Sequence, residues 1–402
     1  MTTFKFVRRD FNRLAAAVPG LALLAATGGA GAQMKYPDVF KLGAVLNLSG
    51  PTAGQGADFR AGLELAAQQW NTRGGLGGSK IEILFEDHAA QPAKAVTAAQ
   101  KLIQVDGVKV LANVYSSPVL AVMPICEKEK VLQISAGANS PRLVNISKYF
   151  MSNIANAALE VEVGLAFTRK KLGAQKITIL YGVDDFGSAI KDTAKSVWTS
   201  SGGMIVAEEG IDPGKADLAA VSAKLAAAKP DAIYVALAGV AIGTSVKNIR
   251  ESGFKGPLIG LQGFEAPELF SVAGSAAMNS YWTSSATTVT KDKEDAFAAA
   301  FKDAFKREPT IYVRTHYDLG MSLFEAVANV RKQGKEWSAD NIRAGLLALG
   351  TTTGVLGSFT YREDGTALRA LDIKTIKDGK AAVFVPAAEI EGQGIFSFKL
   401  SR

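Results

Sequence analysis

The stretch Val108–Ser135, VKVLANVYSSPVLAVMPICEKEKVLQIS, places an apolar strand, a helix and a second apolar strand in succession. Val108 to Val114 is almost wholly apolar, as a strand covered on both faces must be. Tyr115-Ser116-Ser117-Pro118 then opens a helix, because serine directly before proline marks a helix N-terminus. Apolar residues recur at helical spacing from Val119 to Glu129, and Val131 to Ser135 is apolar again. Two buried strands joined by one helix require a crossover, which makes them parallel and lays the helix on the sheet.

The same alternation extends in both directions. Before the stretch lie a strand Lys41–Leu46, a helix Ala57–Trp70 with Phe59, Leu63, Ala66 and Trp70 on one stripe, a strand Ile81–Phe85, and a helix opened by Pro92. That gives a first sheet of four strands. Beyond it the theme restarts: helix Leu159–Leu172, strand Lys176–Tyr181, helix Ser188–Ser200, strand Met204–Glu208, helix Ala216–Ala228, strand Ala232–Leu237, helix Ile242–Ser252 and strand Pro257–Leu261. After Tyr281-Trp282-Thr283 come helices Asp292–Lys306, Tyr312–Lys332 and Ala339–Leu349, then strands to the C-terminus. A chain of 402 residues divides into two units on length alone. The reading is an α/β protein of two lobes with parallel central sheets. Residues 33–155 and 284–365 form lobe 1, and 156–283 and 366–402 form lobe 2. Several crossings between lobes favour rigid bodies that close about a common hinge.

Composition narrows the function classes. Hydrophobic residues make up 48% and charged residues 21%, as in a globular protein. The formal charge of +7 owes much to the N-terminus, where Lys5, Arg8, Arg9 and Arg13 stand against Asp10. The other basic residues are interspersed with acids, so no stripe suits nucleic acid. Residues 1–32 read as a cleavable export signal: a basic start, an apolar run Leu14–Ala26, and Ala30-Gly31-Ala32 at the cleavage point. The apolar run falls short of the ~20 residues of a membrane span. The single cysteine, Cys126, excludes an internal disulfide and a thiolate metal cluster, and its helical setting makes it a buried small hydrophobe.

In open parallel sheets ligands bind beyond the carboxyl ends of the strands. There this chain has Tyr115-Ser116-Ser117, whose hydroxyls and free helix N–H groups suit a carboxylate, although capping by Ser117 explains them equally well. The next strand exits through Ser135-Ala136-Gly137-Ala138-Asn139, small enough for close backbone approach. In the second half Asp184-Asp185-Phe186-Gly187 holds the equivalent junction, where Phe186 is either a lid or a core residue. No catalytic group emerges: the two histidines, His88 and His316, lack a cysteine, a second histidine at metal spacing or a Gly-flanked serine. Gly74 to Gly78 follows a helix and precedes a strand, the reverse of a nucleotide loop, and Glu82, Glu86 and Asp87 read as a solvated edge. No cofactor motif is present, and no metal site is expected.

Together these pieces resemble the branched-chain amino-acid-binding family of periplasmic receptors. The resemblance rests on Leu48-Ser49-Gly50-Pro51, Asn71-Thr72-Arg73-Gly74-Gly75-Leu76, Glu86-Asp87 with Pro92, Ser116-Ser117 with Ser135 to Pro141, Asp185-Phe186-Gly187 and Asp364-Gly365. It implies two Rossmann-like lobes joined by a multi-crossing hinge, the type I periplasmic binding protein fold. It further implies a monomer without cofactor that captures a solute and presents it to an inner-membrane ABC permease; the alternatives are a receptor's sensing module, which shares the fold, and a periplasmic enzyme. By resemblance Ser116, Gly137 and Asn139 hold the ligand's carboxylate. Phe186 takes the place of an aromatic that is commonly Tyr, and Gln55 and Ala238 fall on other contact positions. Where the family has an acid for the ligand's ammonium, this chain has Gln262. A neutral amide there points away from a standard amino acid, toward an aromatic or 2-oxo acid. The paired Arg8-Arg9 with Phe11 resembles a twin-arginine export motif, with Val7 in place of Ser or Thr; a general secretory signal is the other route.

Overall fold

The computed structural model describes residues 34–392 apart from 213, 214 and 268. The stretch read as an export signal, with Arg8, Arg9 and the expected cleavage point near Ala32, lies outside the described residues, as does the expected end of lobe 2 from 393 to 402. All the elements fall in the compact unit that starts at Tyr36.

The first sheet takes its strands from β1 (Val39–Leu46), β2 (Lys80–Asp87), β3 (Val110–Asn113), β4 (Leu132–Ser135) and β5 (Phe150–Ser152), in the order β2-β1-β3-β4-β5 and parallel throughout. Helices α1 (Ala53–Thr72), α2 (Pro92–Gln100) and α3 (Ser116–Glu129) make the crossovers. Alternation along each strand assigns its two faces. Phe40, Leu42, Ala44, Val110, Ala112, Leu132 and Ile134 pack with Phe59 and Leu63 of α1, while Val45, Leu111 and Val131 pack with Ala95 of α2 and Val119 and Cys126 of α3. The sequence pattern shows four of these strands; β5 has only three residues, too few to carry a period.

The chain then passes to a second sheet through α4 (Ala157–Lys170), β6 (Lys176–Gly182), α5 (Asp185–Ser200), β7 (Met204–Ile211), α6 (Leu218–Ala227), β8 (Ala232–Ala236), α7 (Ala241–Glu251), β9 (Leu258–Gly260) and β10 (Ser280–Ser285). Helices α8 (Lys291–Phe305), α9 (Ile311–Lys332) and α10 (Ala339–Ala348) return to the first sheet, where Phe297, Phe301, Leu323, Phe324 and Ile342 join its core. A small antiparallel sheet follows, β11 (Thr351–Thr353), β12 (Ser358–Tyr361) and β13 (Ala367–Arg369). Finally β14 (Leu371–Lys377), β15 (Lys380–Val385) and α11 (Ala387–Gly392) complete the second sheet, ordered β15-β14-β10-β9-β8-β6-β7 with β14 and β15 antiparallel.

The chain passes between the two sheets three times. β10 stays in the second sheet through Ser285, β13 still pairs with β12, and Ala286 N–H bonds to the Ala370 carbonyl where the chain passes to β14. Asp364-Gly365 is the β12–β13 turn, with Gly365 at φ 83°.

Candidate functional site

A cavity of ≈ 260 Å³ opens between the two sheets, at the carboxyl ends of β1, β3 and β4 on one side and β6, β8 and β9 on the other. It lies just below the ~300–1,000 Å³ usual for small-molecule sites. Gln55, Tyr115, Ser116, Ser117, Gly137, Asn139, Phe186, Ala238 and Gln262 all line it. Ala138 does not: it is 1% exposed and packs with Val119, Leu143 and Phe150 behind the loop. A larger hollow of ≈ 800 Å³ elsewhere is lined by lobe 1 residues only, among them Gln69, Phe297 and Tyr317.

On the first lobe, α3 starts at Ser116, so neither serine caps it. The cap position belongs to Tyr115, at φ 61° and ψ 138°, a conformation that costs a bulky residue on the order of 1–3 kcal/mol and persists only where surroundings enforce it. Those surroundings are the bonds from Tyr115 N–H to the Gly137 carbonyl (3.1 Å) and from its hydroxyl to Gln55 Oε1. Gln55 is placed by Gly56, where a Cβ would stand 2.0 Å from the Asn47 carbonyl oxygen. Ser116 Oγ accepts from Ser140 N–H at 3.2 Å and keeps its own proton to donate. The first N–H groups of α3 have no intrahelical acceptor and favour negative charge. Thr52 Oγ1 is buried in the wall without a protein partner among the described residues.

Two loop residues have less to offer than the resemblance implies. Gly137 spends its N–H on Ser135 Oγ at 3.2 Å and its carbonyl on Tyr115. The Asn139 side chain spends its amide hydrogens on Glu160 Oε1 (2.6 Å) and the Ala155 carbonyl (3.4 Å), which leaves Oδ1 as that side chain's free group.

On the second lobe, Asp184 caps α5 by accepting from Gly187 N–H at 2.7 Å. Gly187 lets that turn settle on β6, since a Cβ would come within 2.3 Å of the Gly182 carbonyl oxygen, and so Phe186 is carried to the cavity. Across the mouth, Arg142 from the first lobe pairs with Asp185 at 2.6 Å. Gln262 Oε1 accepts from Ser285 N–H (3.0 Å) and Ser285 Oγ (2.8 Å), so its remaining side-chain group is the NH2 donor.

Sequence reading missed Glu160, on the first turn of α4. This residue is 3% exposed, lines the cavity, and accepts from Asn139, from Gln262 N–H (2.9 Å) and from Thr283 Oγ1 (3.0 Å). Burial pushes its carboxyl up to about 7, against the pull of these three donors. Thr52, Ile154 and Tyr312 are further lining residues that it missed, and Asp184 lines the cavity from the junction it had marked.

Elsewhere the titratable groups are structural. His316 stacks on Phe59 with centroids 4.4 Å apart, and burial pushes it down to about 3. Burial likewise pushes the Cys126 thiol up to about 12, so it is no nucleophile. Among the described residues no group of three His, Cys, Asp or Glu can hold a metal ion. None of the described helices is long and apolar enough to cross a membrane.

The "Periplasmic binding protein" family model matches residues 39–381. A leucine-, isoleucine-, valine-, threonine- and alanine-binding protein of Pseudomonas aeruginosa is 26% identical over 80% of this chain and 86% of its own length. Among solved structures, the leucine-binding protein of Thermotoga maritima superposes with TM-score 0.79 at 21% identity, covering 86% of this chain and 99% of that one. An ABC-transporter solute-binding protein from R. palustris, in complex with benzoate, gives TM-score 0.78 at 21% identity, over 87% of this chain and 96% of that one. The fold is therefore that of a type I periplasmic binding protein. With the family model matched over 39–381, most of its length, the chain belongs to the periplasmic binding protein family, a family of non-enzymatic solute-binding proteins.

Proposed function

We propose that this chain is the soluble, monomeric receptor of an ABC importer, exported to the periplasm by the signal in residues 1–32. It captures a small carboxylate-bearing solute, an aromatic or other organic acid or an amino acid, and delivers it to an inner-membrane permease. The observation that carries this reading is the two-sided cavity. One wall supplies Ser116, Ser117 and the start of α3, all suited to a carboxylate, and the other supplies Phe186 and the Gln262 amide. Neither wall alone surrounds a solute, so binding couples to closure about the three-passage hinge.

The kinds of solute follow the same line. The Pseudomonas relative is named for leucine, isoleucine, valine, threonine and alanine, and the R. palustris structure holds benzoate; all are carboxylates of a size in keeping with the cavity. Its apolar surfaces, Phe186, Leu237, Leu261 and Ile154, suit a ring or a branched chain.

A thermal-shift screen of the mature protein tests this reading, because a ligand that binds only the folded state raises its stability. Amino acids, aromatic acids, short-chain acids and the matching amides form the panel. At least one carboxylate should raise Tm while its amide does not. A panel in which amides do as well as acids, or in which no acid acts, removes the carboxylate reading. Uptake of the active solute should be lost when the coding sequence is deleted; persistent uptake argues against the importer role.

A further inference from the structure

We propose that Glu160 is a specificity-determining residue of the cleft, whose carboxylate selects, among small carboxylate-bearing solutes, those that also carry a hydrogen-bond donor, an ammonium or a hydroxyl. This inference rests on reading the cavity as the solute site. The charged residues that line it are Glu160 and Asp184, with no Lys, Arg or His among them. Asp184 is exposed and already serves the N-terminus of α5. Glu160 is buried and has no ion-pair partner among the described residues.

Its three protein partners are all neutral donors. A carboxylate offers about four acceptor sites, so roughly one is left over. Beside it, the Asn139 side chain keeps only its Oδ1, a second side-chain acceptor on the same wall. Charges on neighbouring elements give no relief. Glu265, in the turn after β9, adds repulsion and is itself paired with Lys374 of β14; Tyr234 of β8, buried behind, adds none of the positive charge that is missing. A solute that brings only acceptors to this wall therefore meets an unneutralised charge in a low-dielectric site, whereas a donor forms a charge-assisted bond with it.

Protonation follows from the same geometry. Burial holds Glu160 up to about 7, so near neutrality the empty cleft is divided between the two forms. A donor-bearing solute favours the carboxylate and releases a proton on binding; a solute without a donor favours the acid and takes one up. Preference for the donor therefore grows as pH rises.

The test is titration calorimetry on the mature chain with two matched pairs, leucine against 4-methyl-2-oxopentanoate and 4-hydroxybenzoate against benzoate, at pH 5.5 and 8. The first pair isolates an ammonium and the second a hydroxyl. In at least one pair the donor-bearing member should bind at least tenfold more tightly at pH 8, with the ratio shrinking at pH 5.5 and with Glu160→Gln removing that pH dependence. Should the variant fail to fold, heats measured for the wild-type chain in buffers of different ionisation enthalpy report the proton count directly; release is expected with the donor. Equal affinities within both pairs at both pH values, or binding of the donor without proton release, overturn the role of Glu160 and leave the solute site standing. Binding by none of the four overturns the solute-site reading, and this inference with it.

Discussion

Ser116 has two duties at the start of α3: its oxygen holds the Ser140 N–H at 3.2 Å, and its proton is left for a solute. Ser116→Ala removes a donor to a charged group and also strands a buried N–H, so affinity for the solute found by screening should fall by roughly 1–3 kcal/mol. Calorimetry that shows unchanged affinity takes Ser116 out of the site. Residues like Ser116, Gln55 and Phe186 are legible in a sequence because they stand where an apolar run ends and a helix begins. Glu160 is not. Leu159-Glu160-Val161-Glu162-Val163 looks like part of a solvated surface, yet residues two apart on a helix point to different sides, and Glu160 falls on the buried stripe with Gly164 and Thr168. A glutamate in line with a buried glycine was the available signal.

Among elements, α1 and α9 approach most closely where both carry glycine. A Cβ at Gly62 would lie 2.4 Å from the Val313 carbonyl oxygen, and one at Gly320 would lie 2.7 Å from the Ala66 methyl. Backbone cannot yield as a flexible side chain can, so Gly62→Ala should destabilise the chain by about 1–3 kcal/mol, read as a lower urea midpoint at unchanged slope. An unchanged midpoint would mean that the two helices separate freely. The helices and long buried strands were legible, since each spans several periods of its own pattern. The three-residue β5 was not, and Asp364-Gly365 announced a turn without saying which strands it joins. The start of α3 shifted because Tyr115 takes a backbone conformation that no propensity favours and that contacts such as those with Gly137 and Gln55 maintain.

For the molecule as a whole, buried titratable groups set opposing limits on stability. Burial lowers His88 to about 4 and His316 to about 3, both from an ordinary 6.5, so below that value the unfolded chain takes up two protons that the folded chain refuses. Their stabilising effect is complete above pH 6.5 and is lost as pH falls toward 4 and 3. Glu160 acts in the other direction. Its folded value of about 7 against an ordinary 4.5 means that the folded chain keeps a proton the unfolded chain gives up, so stability declines as pH rises across that interval, by on the order of 3 kcal/mol. Between 4.5 and 6.5 two histidines outweigh one glutamate, and above about 6.5 the two contributions nearly cancel. The empty protein should therefore show a steep acid limb that levels off at about pH 6.5 and stays nearly flat above it. Urea midpoints from pH 3.5 to 8 measure the curve. His316→Gln should flatten the acid limb. An acid limb that His316→Gln leaves unaltered would mean that His316 accepts a proton without unfolding, against its stacking on Phe59 and its complete burial beneath the cleft.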